Sequence, residues 1–300
     1  MSDLHGRRRY LVHHLTEYTY EEDVTMSFGR AMLRPRATPQ QQVVEHEVQI
    51  SPEPDVLEES LDAFGNYSHY VEISAPHTRL AVTKTSTLDV EWPQADLEAL
   101  NEWTVERAAG AICADPQIDP FERAAFSLPS RIVTLGEMER GFAQELLPPS
   151  MPLGEAIEAA YRRIYEDFTY TKGATSVSTT LPEVISSREG VCQDFAHLAV
   201  ASFRAVGLPA RYVSGYIETS APPGTEKLEG SDASHAWVSV MVPGGEWVDL
   251  DPTNNHLADS RYLVTAWGRD FRDVSPMKGI IFTEGGSSSL RVGVTVRRLD

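Results

Sequence analysis

Residues 182–207 read Pro182-Glu-Val-Ile-Ser-Ser-Arg-Glu-Gly190-Val-Cys192-Gln-Asp-Phe195-Ala-His197-Leu-Ala-Val-Ala-Ser-Phe203-Arg-Ala-Val-Gly207. Gly190 interrupts the pattern before it. From Phe195, apolar side chains at 195, 198, 199, 203 and 206 recur at the spacing of a buried helix. Gly207-Leu208-Pro209 stops that helix. Cys192 therefore falls in the first turn, where unpaired backbone N–H groups and the positive end of the helix dipole favour thiolate over thiol. The same N–H groups can stabilise an oxyanion. Taken alone, the segment favours a plainer reading: a small buried hydrophobe, as most lone cysteines are.

A base changes that balance. His235-Ala-Trp-Val-Ser-Val-Met-Val242 reads as a strand, Pro243-Gly-Gly245 as a turn, and Glu246-Trp-Val-Asp-Leu-Asp251 as a second strand ended by Pro252. A three-residue loop over 243–245 places Trp237 opposite Asp251. His235 then lies diagonal to Asp251 on one sheet face, about 7–8 Å apart along the backbone and within side-chain reach. A two-residue loop would put the pair on opposite faces. In the first register Asp251 orients the His235 imidazole, and the imidazole takes the Cys192 proton. Asp249, on the same strand face, is the other candidate orienter.

Three segments, Gly190-Val-Cys-Gln-Asp-Phe-Ala196, Ser234-His-Ala-Trp237 and Trp247-Val-Asp-Leu-Asp-Pro-Thr-Asn254, resemble the three core motifs of the transglutaminase-like superfamily. Residues 10–90 resemble the β-rich N-terminal domain of its bacterial members, through His14–Tyr20, Leu33-Arg-Pro-Arg36 and Asp62-Ala-Phe-Gly-Asn66. Phe168-Thr-Tyr170, Gly173–Val177 and Gly268–Pro276 match as well, so the resemblance covers nearly the whole chain. It implies a papain-like fold and a triad of Cys192 as nucleophile, His235 as base and then acid, and Asp251 as orienter. The acid directly before Pro-Thr selects Asp251 over Asp249. Eukaryotic crosslinking members carry Trp after the nucleophile. This chain has Gln193, as bacterial relatives often do, which weakens a direct transfer of crosslinking activity. Tyr170 and Gln193 are the candidates for oxyanion or substrate contact, Tyr170 because relatives use an aromatic donor from an upstream segment. An aromatic packed at a strand start is the alternative for Tyr170.

Outward from this core the chain divides near residue 93. Residues 1–92 alternate polar and apolar over Tyr10–Tyr20, Val43–Ile50, Tyr67–Ile73 and Leu80–Val90, with turns between, and predict an antiparallel β-sandwich-like domain. Residues 93–300 predict the catalytic domain, helical over 93–207 and sheet over 208–300. Its helices are expected at Ala95–Ala111, Leu135–Leu147 and Leu153–Phe168. Strands, then helices, then strands predict an α+β fold, with helices packed on an antiparallel sheet.

The 300 residues carry 26 Lys plus Arg against 44 Asp plus Glu, a net charge of -18. An acidic chain argues against nonspecific nucleic-acid or anionic-membrane binding. Two cysteines, Cys113 and Cys192, make neither a disulfide framework nor a four-thiolate zinc site. No histidine spacing suggests a metal, no calcium loop is present, and no cofactor motif appears. With neither a membrane span nor a signal-peptide core, a reducing cytoplasm is expected.

Other candidates read more plainly. His197, five residues after Cys192, points to a different helical face and reads as a hydrogen-bonded core residue. Cys113 reads as structural. Arg269, Asp270 and Asp273 form either an ion pair near the site or a solvated loop. The polar run Pro222–Ser231, just before His235, either shapes a cleft or is an idle excursion. Together these residues predict a cysteine acyl-transfer enzyme that opens an amide bond in a peptide or protein through a thioester, with water as acceptor. The alternatives are an amine-transferring crosslinker and a non-catalytic peptide-binding module on the same scaffold. Oligomeric state is not legible from the chain.

Overall fold

The computed structural model describes residues 4–176, 179–219 and 234–299. The first region holds strands β1 (Arg8–Ala31), β2 (Gln41–Ser51), β3 (Val56–Leu61), β4 (Tyr67–Ile73) and β5 (His77–Val90). The helices that follow are α1 (Leu97–Leu100), α2 (Val105–Ala114), α3 (Pro120–Ser127), α4 (Glu137–Leu146) and α5 (Leu153–Asp167). The short strand β6 (Thr169–Tyr170), helix α6 (Leu181–Ser187), strand β7 (Glu189–Gly190) and helix α7 (Cys192–Ala205) come next. Strands β8 (Ala210–Ile217), β9 (Ser234–Met241), β10 (Trp247–Asp251), β11 (His256–Leu257) and β12 (Tyr262–Gly268) build a second sheet. Helix α8 (Phe271–Val274) and strands β13 (Met277–Thr283) and β14 (Ser288–Arg298) end the chain.

The α+β architecture matches expectation: an antiparallel β region, then helices, then an antiparallel sheet in the order β11-β10-β9-β8-β12. One expected helix divides. Ala95–Ala111 becomes α1 and α2, because the Thr104 side chain accepts the Arg107 N–H and starts a new helix. The first sheet has order β2-β5-β1-β4-β3, and β1 is long enough to serve both its halves. Its first half pairs with β5, and after an irregularity between Thr19 and Val24 its second half pairs with β4. Side chains from the two halves, among them Val24, Val71, Ile73, Leu80 and Val82, meet in one cluster, but the strands form one antiparallel sheet rather than the two of a sandwich.

The division at residue 93 needs a correction at the far end. Residues assigned to the second sheet return to the first: β13 pairs with Val24–Ala31 and β14 with Tyr10–Tyr20. The physical reason is hydrogen-bond satisfaction. These C-terminal strands cover the edge of β1 that β4 and β5 leave open.

Helix α7 has every residue from 194 to 204 buried, so it is enclosed by other elements. Ala196, Ala199, Val200 and Phe203 share a core with Ala156, Ile157, Ala160 and Ile164 of α5 and with Tyr212, Ala236, Val238 and Val240 of the second sheet. Fully burying a side chain the size of Phe203 contributes about 1.5–3 kcal/mol. A separate cluster joins that sheet to the first one: Val213, Trp237, Tyr262 and Leu263 meet Tyr10, Val12, Leu88, Val294 and Val296. Two stretches from the first region reinforce this junction. Arg36 stacks on Trp267, 3.2 Å from the ring centroid, and donates to Asn66 Oδ1 at 2.7 Å. Asn66 in turn donates to the Trp267 carbonyl at 2.8 Å. The site described next therefore sits on a sheet clamped between α7 and the N-terminal strands.

Candidate active site

Cys192 opens α7 because the chain before it is fixed in an extended turn. Val191 is extended, and its N–H donates to Asp194 Oδ2 at 2.8 Å. Thr175 donates to the same oxygen at 2.6 Å. Asp194 thus satisfies a helix-start donor and places an acid where the dipole favours it. Gly190 allows the close approach: a Cβ there would lie 2.9 Å from the Asp194 Cβ and 3.2 Å from the Phe195 ring. Cys192 itself is half-buried.

Tyr170 comes beside this helix start through the β6–β7 pairing, in which it is opposite Gly190. Its ring is half exposed and lies 6.3 Å from that of Phe195. Burial and the neighbouring Cys192 both push the phenol pKa up, so Tyr170 keeps its O–H as a donor. Gln193 follows Cys192 in the first turn, partly exposed.

The β9–β10 hairpin has the register expected of a three-residue loop. Val248 opposes Val240 and Leu250 opposes Val238, while the Val242 N–H donates to the Glu246 carbonyl at 2.9 Å. Gly244 and Gly245, at φ 94° and 81°, supply the left-handed backbone that closes the turn. His235 and Asp251 consequently share a face, and His235 Nε2 lies 2.6 Å from Asp251 Oδ2. Asp251 engages Nε2, and the Cys192 side chain lies near enough to the imidazole to act on its charge.

The electrostatics follow from that arrangement. Burial alone pushes the His235 pKa down, but the Asp251 charge, the hydrogen bond to Asp251 and the adjacent Cys192 outweigh it and raise it to about 10. The ring is an imidazolium at neutral pH. Burial pushes the Asp251 carboxyl up. The His235 charge and hydrogen bonds from His235, Tyr262 and Asn254 hold it down to about 2. An imidazolium beside a helix-start cysteine can stabilise a thiolate and later donate its proton.

Sequence reasoning assigned no role to several residues of this network. Asn254 donates its side-chain N–H to Asp251 Oδ2 at 2.7 Å, and Tyr262 donates its hydroxyl to the same oxygen at 2.6 Å. Backbone N–H groups of Thr253 and Asn254 donate to Oδ1 at 2.8 and 3.2 Å. Trp237 stacks alongside His235 at 6.2 Å between ring centroids. Pro252, which ends the strand, was the available signal for a side-chain-capped turn after Asp251. Nothing local marks Tyr262.

The remaining candidates separate cleanly. Asp249 accepts from Trp237 Nε1 at 2.7 Å and from Ser239 Oγ at 2.5 Å, which commits it to the sheet interior. His197 is buried, stacks on Tyr212 at 4.6 Å and accepts the Phe271 N–H at 3.1 Å. Burial lowers its pKa to about 3 and keeps it neutral. Cys113 is exposed in the last turn of α2, so it is not a packed core residue. Arg269 pairs with Asp273 at 2.9 Å, while Asp270 caps α8 and accepts the Ile132 N–H. The run Pro222–Ser231 and Val177 lie outside the described residues. Among the described residues, no group of three or more His, Cys, Asp or Glu is placed to hold a metal ion, and no helix is long and apolar enough to cross a membrane.

Comparisons with known proteins agree with this layout. A family model for the bacterial transglutaminase-like N-terminal region matches residues 10–89, and one for the transglutaminase-like superfamily core matches residues 140–252. An uncharacterized protein of Mycobacterium tuberculosis is 43% identical over 302 residues, covering 98% of this chain and 94% of that protein. A protein-glutamine gamma-glutamyltransferase of Pseudomonas aeruginosa is 31% identical over 118 residues, covering 38% of this chain but 18% of that protein. Among solved structures, a candidate cysteine protease from Cytophaga hutchinsonii superposes with a TM-score of 0.78 at 21% identity, covering 98% of this chain and 92% of that one. That likeness establishes the shared fold.

Proposed function

The chain belongs to the transglutaminase-like superfamily, and on that footing we propose that it is a cysteine-nucleophile acyl-transfer enzyme that hydrolyses an amide bond in a peptide or protein. The observation that carries this reading is the ordered set formed by Cys192 at the α7 start, His235 beside it, and Asp251 at 2.6 Å from the imidazole. In the proposed reaction Cys192 Sγ attacks the amide carbonyl. The tetrahedral oxyanion is met by N–H groups of the α7 first turn, with Tyr170 and Gln193 at its rim. His235 gives its proton to the leaving nitrogen, the C–N bond breaks, and a thioester to Cys192 remains. His235, now neutral, takes a proton from water, which attacks the thioester and releases the acid. Asp251 keeps the ring oriented through both halves.

A second reading, transfer to a primary amine, shares the first half-reaction. The Pseudomonas relative's named activity favours it, over the part of the chain it matches. The acceptor decides between them. Incubation with a glutamine peptide, a labelled amine and water as competitor should give hydrolysis in excess. Amine incorporation outpacing hydrolysis would replace the first reading by the second. A binding module without catalysis would leave activity in the cell unchanged by Cys192→Ala. A reducing cytoplasm suits the chemistry, because both cysteines are free thiols and Cys192 must stay reduced.

A further inference from the structure

We infer that Tyr262 and Trp92 are positioning residues, through which the N-terminal β region holds the Asp251 carboxylate in line with His235. This deepens the proposed function and rests on it. Among the described residues, five donors meet the Asp251 carboxylate. Three of them, the Thr253 N–H, the Asn254 N–H and the Asn254 side chain, come from the same turn as Asp251 itself. They fix the carboxylate relative to its own turn. The fourth is His235, the group to be oriented. Among the described residues, and His235 of β9 aside, the Tyr262 hydroxyl of β12, donating at 2.6 Å to the oxygen that also receives His235, is the one donor that reaches in from another strand. Tyr262 therefore sets where the carboxylate stands with respect to the rest of the sheet.

Tyr262 is itself held from the first region. Its carbonyl accepts Trp92 Nε1 at 3.1 Å, and the Trp92 N–H donates to Ser260 Oγ at 3.0 Å. Trp92 directly follows β5 and is buried. The Tyr262 ring meets Trp237 edge-on at 5.2 Å and lies in the cluster with Tyr10, Leu88 and Val90. Trp237 in turn stacks beside His235. The last residues of the N-terminal unit thus grip the strand that supplies the fifth donor. Tyr262 stays protonated in this setting: burial and the Asp251 charge both push its phenol pKa up, so it remains a donor. Sub-ångström placement matters here, since misplacing a catalytic group by about 1 Å costs on the order of 100-fold in rate.

The test reads the Cys192 thiol directly and needs no substrate. In a Cys113→Ser background, only Cys192 remains to be alkylated. The rate of iodoacetamide alkylation is followed by intact mass from pH 4 to 9, with melting temperature recorded in parallel. At neutral pH the parent should be alkylated at least about tenfold faster than its His235→Ala variant. Tyr262→Phe, which removes one oxygen and keeps the ring, should lower the neutral-pH rate about tenfold and move the acid limb up by about one pH unit. Trp92→Phe should move both in the same direction by less, roughly two- to threefold in rate. Unchanged limbs and rates in both variants, even with lowered melting temperatures, would make these residues structural and overturn the inference alone. A parent alkylated no faster than its His235→Ala variant would sink the proposed function, and the inference with it.

Discussion

The middle and the end of β10 carry one carboxylate each, two residues apart on one face of one strand, and they have opposite fates. Asp249, in mid-strand, is enclosed by the side chains of Trp237 and Ser239 at 2.7 and 2.5 Å. Burial pushes its pKa up, and the Arg211 charge and those two bonds work against the rise. Asp251, at the strand end, receives two backbone N–H groups on one oxygen from the turn after Pro252, and its second oxygen takes His235 together with Asn254 and Tyr262. Its carboxyl is held down to about 2 even though burial pushes it up. Strand periodicity makes the two equivalent. The chain reversal at Pro252 distinguishes them, because only a strand end frees backbone donors to hold a carboxylate while leaving an oxygen for a partner.

Substitutions should widen that difference in order of effect. Asp251→Ala removes the proposed orienter and strands the imidazolium. It should cut kcat by about 10^4-fold, measured as amide hydrolysis per folded molecule. A loss under tenfold would erase the distinction between the two carboxylates. Asp249→Ala should act on stability instead. It leaves the Trp237 and Ser239 donors and the nearby Arg211 charge uncompensated, so a loss of roughly 3 kcal/mol is expected in urea titrations. Its kcat per folded molecule should stay within about tenfold of the parent, since Asp249 does not touch His235.

The His235–Asp251 pair should also leave a signature in stability against pH. His235 rises from 6.5 to about 10 on folding, so its contribution is complete below pH 6.5 and is lost as pH climbs through 10. Asp251 falls from 3.8 to about 2, so its contribution is present above pH 3.8 and is lost as pH drops through 2. Urea titrations of the parent and of His235→Gln should therefore differ most between about pH 4 and 6.5 and converge above pH 10. A constant difference across that range would show that the ion pair does not form.

Much of the site was legible because its signals are local. The Pro243-Gly-Gly245 loop left two registers open, and the structure adopts the three-residue one, which puts His235 and Asp251 on one face. Gly190 and the apolar spacing after Phe195 located the helix start at Cys192. The fold class followed from the order of strand and helix patterns. What escaped depends on partners distant in the chain. Met277–Arg298 alternates like any strand, and nothing within it names β1 as its partner. Tyr262 is 11 residues from Asp251 on another strand, and its hydroxyl finds that carboxylate only after the sheet closes. Trp92 reaches the Tyr262 carbonyl across 170 residues of chain. Asn254 lies within one of the core motifs, yet its grip on Asp251 depends on the turn geometry.

The central claim is that Cys192 forms a thioester with the help of His235. The direct measurement is intact-mass trapping of the acyl-enzyme, using an activated acyl ester and rapid acid quench. The parent should gain one acyl mass on the peptide containing Cys192. Cys192→Ala should gain none, and His235→Ala should acylate at least about 100-fold more slowly. Acylation found elsewhere, or a rate that His235→Ala leaves unchanged, would contradict the account.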